Sequence, residues 1–245
     1  MRKTWLPVVD AKPRDLMPIN VYDRDLSKDE IAQDQHRDYV GGLWDELGFL
    51  QFEFMRTVGG LQPEMKLLDL GCGCFRGGIH FIPYLQQNHY YGLDVNASLV
   101  DAGFTVELPR AHLTLARDQV LVRDDFDASS FGVRFERVLA VSLWTHLPLN
   151  HIQRSLYAAS QILAPGGIFY VSFFFCQNDK DLLLPYQHPI GSIVSYRDRD
   201  PYHYRLEDFE FLIQQLDLPL QMEWIGAWGH PRDQQMLAFH YTGHL

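Results

Sequence analysis

The segment LLDLGCGCFRGG, residues 67–78, is the most informative part of this 245-residue chain for its fold. Its apolar start predicts a buried strand, and the glycines that follow predict a tight turn into a helix. Gly71 and Gly73 remove side chains where the backbone must pass close to a ligand. The start of the helix presents free N–H groups to the same ligand. The segment therefore predicts a ligand-binding turn between a strand and a helix.

Strand and helix patterns continue to alternate after this turn. The predicted strands cover residues 66–71, 89–95, 119–125, 137–142, 168–175, 221–228 and 234–242. Helices are predicted at 77–87, 97–105 and 206–216, and another begins at Asn150. This alternation is typical of βαβ units in a parallel sheet with helices on both faces. Only GHPRDQ separates the last two strands, which is too short for a parallel crossover, so they are predicted to form an antiparallel hairpin.

The predicted fold class is therefore α/β: a doubly wound, mostly parallel seven-stranded sheet with a C-terminal antiparallel hairpin. Residues 1–40 are polar and punctuated by prolines, and we interpret them as an N-terminal arm. Residues 41–245 contain no repeat or low-complexity linker and are interpreted as one domain. Within it, residues 176–205 form an insertion that leaves a strand at its carboxyl end, on the side where a substrate would bind.

Composition and charge narrow the class of protein. The chain is 47% hydrophobic and 21% charged, which is ordinary for a folded domain. Its formal net charge of −10 disfavours a nucleic-acid partner and an anionic membrane surface. The N-terminus lacks the apolar core of a signal peptide, and three cysteines are typical of free thiols in a reducing compartment. We therefore expect a cytoplasmic protein that acts on a small molecule; the sequence does not indicate an oligomeric state.

Two kinds of ligand fit a glycine-rich turn of this type. A dinucleotide-binding turn has the spacing G-x-G-x-x-G, but Arg76 occupies the sixth position here. Asp69, directly before the turn, would also repel a pyrophosphate. S-adenosylmethionine carries an ammonium group and a sulfonium instead of phosphates, so an acid beside the turn favours it.

Two further acids follow the next strands. Asp94 ends the second strand, where a carboxylate can accept the hydroxyl groups of a ribose. Asp125 follows the third strand, where it can accept the adenine amino group while Phe126 covers the adenine ring. Asp124 and Asp127 flank Asp125, so the choice among these acids is open. Each acid could alternatively cap a helix or a turn.

The motifs DLGCG, GLDV, DDF and LAPGGIFYVSF, in this order of elements, resemble those of the class I S-adenosylmethionine-dependent methyltransferases. The resemblance covers roughly residues 40–245. It implies that the cofactor is bound by Asp69, Gly71, Cys72, Gly73, Asp94, Val95, Asp125, Phe126 and Ser142. The chain departs from the family at Phe75, where a third glycine is usual, and this departure would place a bulky ring near the methionine part of the cofactor.

Candidate catalytic and substrate residues lie in the segments that follow the later strands. His146, in VSLWTHLPLNH (141–151), is the candidate general base, because an imidazole can take a proton from an acceptor hydroxyl near neutral pH. Alternatively, His146 bonds a loop carbonyl and only shapes the cleft. The candidate substrate contacts are Trp144, Tyr202, His203, His230 and Arg232. Cys72, Cys74 and His80 are too few ligands for a metal site, so no metal is expected.

The sequence therefore predicts methyl transfer from S-adenosylmethionine to an oxygen or nitrogen of a small polar molecule, such as a sugar or a natural-product intermediate. S-adenosylhomocysteine would be the second product. Two alternatives remain open: an NAD-dependent oxidoreductase, and a non-catalytic S-adenosylmethionine-binding partner of another protein. A nucleic-acid methyltransferase is disfavoured by the acidic charge and by SLWTHL, which stands where an Asn-Pro-Pro-aromatic motif would be expected.

Overall fold

Three helices precede the sheet in the computed structural model, which describes residues 24–177 and 180–243. They are α1 (Lys28–Ala32), α2 (Gln35–Tyr39) and α3 (Trp44–Thr57). Within the predicted N-terminal arm, residues 24–40 therefore contain two short helices, and residues 1–23 lie outside the described part of the chain.

The strands and helices of the domain follow in alternation. The strands are β1 (Leu67–Leu70), β2 (Tyr90–Asp94), β3 (Val120–Val122), β4 (Phe135–Ala140), β5 (Leu163–Phe175), β6 (Tyr186–Gln187), β7 (Val194–Ser195), β8 (His203–Tyr204), β9 (Leu220–Ala227) and β10 (Gln235–Tyr241). The helices are α4 (Gly78–Tyr84), α5 (Ala97–Ala102), α6 (Leu108–Arg110), α7 (Leu149–Ile162) and α8 (Leu206–Gln215). A π-helical turn, Gly103–Glu107, joins α5 to α6.

The central sheet has the strand order β3-β2-β1-β4-β5-β10-β9. The first five strands of this order pair in parallel, and β10 pairs antiparallel with both β5 and β9. The prediction of a mostly parallel seven-stranded sheet with a C-terminal antiparallel hairpin is confirmed. The structure adds β8, which pairs in parallel with the end of β5. Leu163, at the end of α7, begins β5 and pairs with Phe135 of β4.

Aromatic side chains fill the core on both faces of the sheet. One cluster includes Trp144, Phe169 and Phe239, and it packs beneath α7 and α8. The other includes Phe54 of α3 and Phe81 of α4. The sheet is therefore covered on both sides, which leaves its carboxyl edge as the place where a ligand can enter.

None of the helices that the structure describes has the length and hydropathy needed to span a membrane.

Buried polar side chains tie the insertion to the tip of the β9–β10 hairpin. The hydroxyl of Ser195 lies 2.7 Å from Nε2 of His188 and 3.0 Å from Nδ1 of His203. Nδ1 of His188 lies 3.5 Å from the carboxylate of Asp233, in the hairpin connection. Burial disfavours the charged imidazolium and lowers the pKa of His188 from 6.5 to about 4. The insertion is therefore held in place by a histidine that must remain neutral.

We expect this histidine to make the folded state sensitive to acid. The unfolded chain binds a proton at His188 below about pH 6.5, whereas the folded chain does so only near pH 4, so stability is lost as the pH falls through this range. His188→Gln should be less stable than the wild type at pH 7.5, and the difference in melting temperature should shrink towards pH 4. Thermal unfolding of both proteins from pH 8 to 4 measures this difference. The other titratable groups are the same in both proteins, so their contributions to the pH dependence cancel in the difference.

His112→Gln, at an exposed histidine, is the matched control and should leave the pH dependence unchanged. A stability difference between wild type and His188→Gln that stays constant with pH would contradict this account.

Candidate functional site

The glycine turn is fastened to the neighbouring strand. Gly71 and Gly73 have φ values of +80° and +51°, a backbone conformation that side chains disfavour. The N–H of Gly71 donates to the carbonyl oxygen of Leu93 at 2.7 Å, and the N–H of Gly73 donates to Oδ2 of Asp94 at 2.8 Å. The turn after β1 therefore ends against the acid that ends β2, which brings two predicted cofactor contacts together.

A cavity of about 320 Å³ opens at the carboxyl ends of β1, β2, β3 and β4. Six of the predicted cofactor residues line it: Gly71, Gly73, Asp94, Val95, Phe126 and Ser142. The lining also includes Asp124, one of the acids left open as an adenine contact, and four polar residues that were not predicted as contacts: Arg76, Arg123, His151 and Arg154. The cavity therefore lies where ligands bind in doubly wound sheets.

Asp94 is held in a fixed orientation at the edge of this cavity. Its Oδ1 accepts from the N–H of Asn96 at 2.8 Å, while Oδ2 accepts from Gly73. Burial raises the pKa of this carboxyl, and the backbone N–H donors act in the opposite direction. Each carboxylate oxygen can accept more than one hydrogen bond, so Asp94 can also accept from a ligand in the cavity.

A second, smaller cavity of about 30 Å³ lies beside the glycine turn. Asp69 and Cys72 line this smaller cavity and not the larger one. Asp69 accepts from the hydroxyl of Tyr90 at 2.9 Å. Burial, together with the nearby charge of Asp94, raises the pKa of Asp69 to about 7. Near neutral pH, this carboxyl therefore changes protonation readily when a charged group approaches.

Phe75 belongs to the core, contrary to the expectation that its ring lies near the cofactor. Its φ is +69°, and its side chain is fully buried. The ring packs edge-on against Phe104 and Tyr90, with centroids 5.2 Å and 6.4 Å away. Gly103 makes this packing possible, because a Cβ there would lie 2.5 Å from the Phe75 ring. The left-handed backbone at Phe75 therefore turns the ring away from the ligand side.

Arg76, the next residue, reaches the ligand side. It lines both cavities, and its Nη1 donates to the carbonyl oxygens of Val40 at 2.9 Å and Gly42 at 3.1 Å. Arg232, in the hairpin connection, donates to the carbonyl oxygen of Gly41. Val40 lines both cavities as well. Residues 40–42, which we call the roof segment, are thus held over the site by two arginines.

The neighbouring acids Asp124 and Asp125 lie in different environments. Both Nε and Nη2 of Arg123 bond the Asp125 carboxylate, and this guanidinium lowers the pKa of Asp125. Asp125 also accepts from the N–H of Asp127 at 3.1 Å and does not line the cavity. Asp124 does line it. The structure therefore places Asp124, and not the predicted Asp125, where a ligand can be contacted.

His146 lies on a 3₁₀ turn, Trp144–His146, directly after β4, and it lines the larger cavity. Its Nδ1 lies 2.6 Å from Oδ1 of Asp200, a residue of the insertion. No local sequence pattern points to Asp200, because 54 residues separate it from His146. His146 is thus paired with a carboxylate in the cleft. This arrangement fits the prediction of a base.

The structure does not place the predicted substrate contacts on the cavity. Trp144 is fully buried, and its Nε1 donates to the hydroxyl of Ser155 at 3.1 Å, so it is a core residue. Arg232 bonds the roof segment. The remaining predicted contacts that are buried away from the cavity are Tyr202, His203 and His230. Tyr202 and His203 are buried because β8 returns to the sheet and pairs with β5.

His230 is a buried histidine whose pKa lies well below the usual value. It stacks against Trp228 with ring centroids 5.3 Å apart, and burial lowers its pKa to about 3. Arg76 and Arg232 lie near enough to disfavour its charged form as well. His230 is therefore a neutral packing residue beneath the roof segment.

A cluster of three potential metal ligands lies outside the site. Asp34, His36 and Glu107 each offer an atom within 4.8 Å of the others. Glu107 is already paired with Arg37 at 2.6 Å, and Arg110 contacts both Glu107 and Asp34. Two guanidinium groups balance the two carboxylates, so this cluster fastens α2 to the π-helical turn by ion pairs.

No family model matches the chain. Solved structures do resemble it. One is an S-adenosylmethionine-dependent methyltransferase from Clostridium acetobutylicum, with 12% identity, a TM-score of 0.61, and coverage of 88% of this chain and 99% of that one. Another is an amino pentose methyltransferase of calicheamicin biosynthesis from Micromonospora echinaspora, with S-adenosylmethionine bound; the identity is 14%, the TM-score 0.59, and the coverage 90% and 99%.

A third similar structure is a glycopeptide N-methyltransferase in complex with S-adenosyl-L-homocysteine, with 17% identity, a TM-score of 0.55, and coverage of 79% of this chain and 90% of that one. At sequence identities this low, structural similarity establishes the fold alone. Together with the strand order and the final antiparallel hairpin, these likenesses show that the chain has the fold of the class I S-adenosylmethionine-dependent methyltransferases.

Proposed function

We propose that this protein is an S-adenosylmethionine-dependent methyltransferase that acts on an oxygen or nitrogen of a small polar molecule, such as a sugar or a natural-product intermediate. One observation carries the proposal: two carboxylates, Asp69 and Asp94, are more than nine-tenths buried on either side of the glycine turn. Two of the similar structures hold S-adenosylmethionine or S-adenosyl-L-homocysteine, which supports the same cofactor here.

The charges around the turn fit this cofactor better than a dinucleotide. A pyrophosphate at the turn would lie beside the buried carboxyl of Asp69 and would be repelled by its charge, whereas Asp94 suits the ribose of either cofactor. An ammonium group and a sulfonium are attracted by the same acids. A cation near Asp69 also removes the cost of ionising a carboxyl that burial disfavours.

Each part of the cofactor has a matching group in the lining. Asp94 would accept hydrogen bonds from the ribose hydroxyls, and Asp69 would face the ammonium group. Val95 and Phe126 would cover the adenine ring, and Asp124 would accept from its amino group. When bound, S-adenosylmethionine supplies an electrophilic methyl group, and its transfer to the acceptor leaves S-adenosylhomocysteine. The chain contributes mainly orientation and the exclusion of water.

His146 and Asp200 account for proton removal from an acceptor hydroxyl. With Nδ1 held by the Asp200 carboxylate, the Nε2 of His146 carries the lone pair that can take the proton. The imidazolium that forms is then stabilised by the same carboxylate. An amine acceptor needs this base less, because a neutral amine attacks through its own lone pair and the proton is lost afterwards from the methylated ammonium product. Ser142, a predicted cofactor contact, lines the same cavity, and its hydroxyl is held by the side chain of Gln234.

Binding of S-adenosylhomocysteine is the first test of the proposal. Isothermal titration should give a micromolar dissociation constant for the wild type and no binding of NADH. Asp94→Ala should weaken binding at least roughly tenfold, because it removes a charged acceptor of ribose hydroxyls. Binding of NADH in place of S-adenosylhomocysteine would overturn the proposal in favour of an oxidoreductase.

The two neighbouring acids after β3 provide a matched pair of variants. Asp124→Asn should weaken the binding of S-adenosylhomocysteine roughly three- to tenfold, because Asp124 lines the cavity and loses a charged acceptor. Asp125→Asn should leave the affinity within about twofold, because Asp125 faces Arg123 instead. Titration of both variants under one set of conditions measures the contrast. The opposite order of effects would place the adenine contact at Asp125.

The affinity for S-adenosylhomocysteine should fall as the pH is lowered from 7.5 to 5.5. Below its pKa of about 7, Asp69 in the free protein holds a proton that must leave when the ammonium group binds. The loss approaches tenfold per pH unit below that pKa. Asp69→Asn should bind more weakly at pH 7.5 and show a flatter profile, and Asp94→Asn separates the contribution of the other buried acid. A pH profile that is identical in wild type and Asp69→Asn would contradict this role.

A further inference from the structure

We propose that residues 200–204, near the end of the insertion, orient the candidate base His146 and hold its ring in the tautomer that carries the proton on Nδ1. We call these residues the return limb. The inference rests on the proposed function, in which His146 takes the proton of an acceptor hydroxyl. It makes the hydroxyl of Tyr204 and the backbone of Tyr202 positioning groups, although neither residue lines the cavity.

The return limb bonds the backbone on both sides of His146. The N–H of Tyr202 donates to the carbonyl oxygen of Thr145 at 2.7 Å. The hydroxyl of Tyr204 donates to the carbonyl oxygen of Leu147 at 2.6 Å. Thr145 and Tyr204 are only 1% and 2% exposed, so water does not compete effectively for these bonds. The residues before and after the base are therefore both fixed to the return limb.

The return limb is itself fixed from the side away from His146. Its strand β8, which contains His203 and Tyr204, pairs with the end of β5. Nδ1 of His203 lies 3.0 Å from the hydroxyl of Ser195, and Nε2 lies 2.9 Å from the carbonyl oxygen of Leu182. A carbonyl oxygen only accepts, so in the neutral ring Nε2 donates to Leu182 and Nδ1 accepts from Ser195. The return limb is thus anchored to the sheet and to the rest of the insertion.

The pair of His146 and Asp200 depends on this anchoring. Nδ1 of His146 lies 2.6 Å from Oδ1 of Asp200, and the two side chains are 23% and 14% exposed. A pair of partly exposed side chains contributes little where each must lose its own freedom to meet the other. Because the backbones on both sides are already fixed, part of this entropy cost is removed, and the carboxylate keeps the proton on Nδ1. Nε2 is then the nitrogen that can take a proton from an acceptor.

The tautomer of His146 can be measured without knowing the acceptor. Long-range proton–nitrogen NMR spectra of protein with isotope-labelled histidine report which ring nitrogen carries the proton, and the His146→Gln spectrum identifies the signals. At alkaline pH, where imidazoles are neutral, the wild type should show mainly the Nδ1–H form. Asp200→Ala should lower the ratio of the Nδ1–H form to the Nε2–H form roughly tenfold or more, because it removes a charged acceptor.

Two neighbouring tyrosines provide a matched pair of variants. Tyr204→Phe removes the bond to Leu147 and should lower the tautomer ratio roughly two- to fivefold, which is part of the contribution of one neutral hydrogen bond. Tyr202→Phe should leave the ratio unchanged, because the bond to Thr145 comes from the backbone N–H.

Ser195→Ala tests the anchoring of the return limb at a distance from the base. It removes the bond to His203 and should lower the tautomer ratio in the same direction as Tyr204→Phe, so the inference is tested even if that variant does not fold. Isothermal titration with S-adenosylhomocysteine should give affinities within about twofold of the wild type for the folded variants, because none of the three substituted residues lines the cavity.

Each outcome bears on a different claim. A tautomer ratio that changes in Asp200→Ala alone would show that the carboxylate orients the ring without the return limb, and it would overturn the inference. A wild type in which His146 is mainly in the Nε2–H form would do the same, while binding of S-adenosylhomocysteine would still support the proposed function. If the wild type does not bind S-adenosylhomocysteine, the proposed function fails and the positioning role falls with it, whatever the tautomer.

Discussion

The hydrogen bond from the N–H of Gly73 to the buried carboxylate of Asp94 is the constraint on which the site depends. It joins the turn after β1 to the end of β2, and it requires a positive φ at Gly73. With the turn fixed, Phe75 enters the core and Arg76 faces the ligand. Phe75 and Arg76 are adjacent, yet one packs in the core and the other lines the site, because the backbone at Phe75 is left-handed.

The cost of burying two carboxylates beside the glycine turn explains why the site favours a cationic ligand. Asp69 and Asp94 are both removed from water, and burial raises the pKa of each. Asp94 recovers part of this cost from backbone donors, whereas Asp69 accepts, among the residues that the structure describes, only from the hydroxyl of Tyr90. A ligand ammonium group would offset the free-energy cost of ionising the buried carboxyl of Asp69. The free protein therefore carries an unfavourable charge arrangement that binding relieves.

Local pattern was enough to predict seven strands of the central sheet, the glycine turn and the final hairpin, because periodicity and loop length act within a few residues. It did not predict the two-residue strands β6, β7 and β8 of the insertion. It failed for Trp144, because its burial depends on packing against the distant rings of Phe209 and Phe239. It failed for His203, because β8 pairs with β5 only after a long insertion. The choice between Asp124 and Asp125 depended on which carboxylate Arg123 binds. Asp200 was unpredictable, because it meets the site only through the tertiary fold.

The roof segment explains how remote parts of the chain converge on one ligand. Its carbonyl oxygens accept from Arg76 after the glycine turn and from Arg232 in the hairpin connection. A ligand in the smaller cavity therefore lies beneath Val40, which lines both cavities. His146 lines only the larger cavity, where Asp200 of the insertion holds it. The amino-acid end of the cofactor and the acceptor are thus enclosed by different segments, so acceptor preference can change through the insertion while the cofactor contacts stay intact.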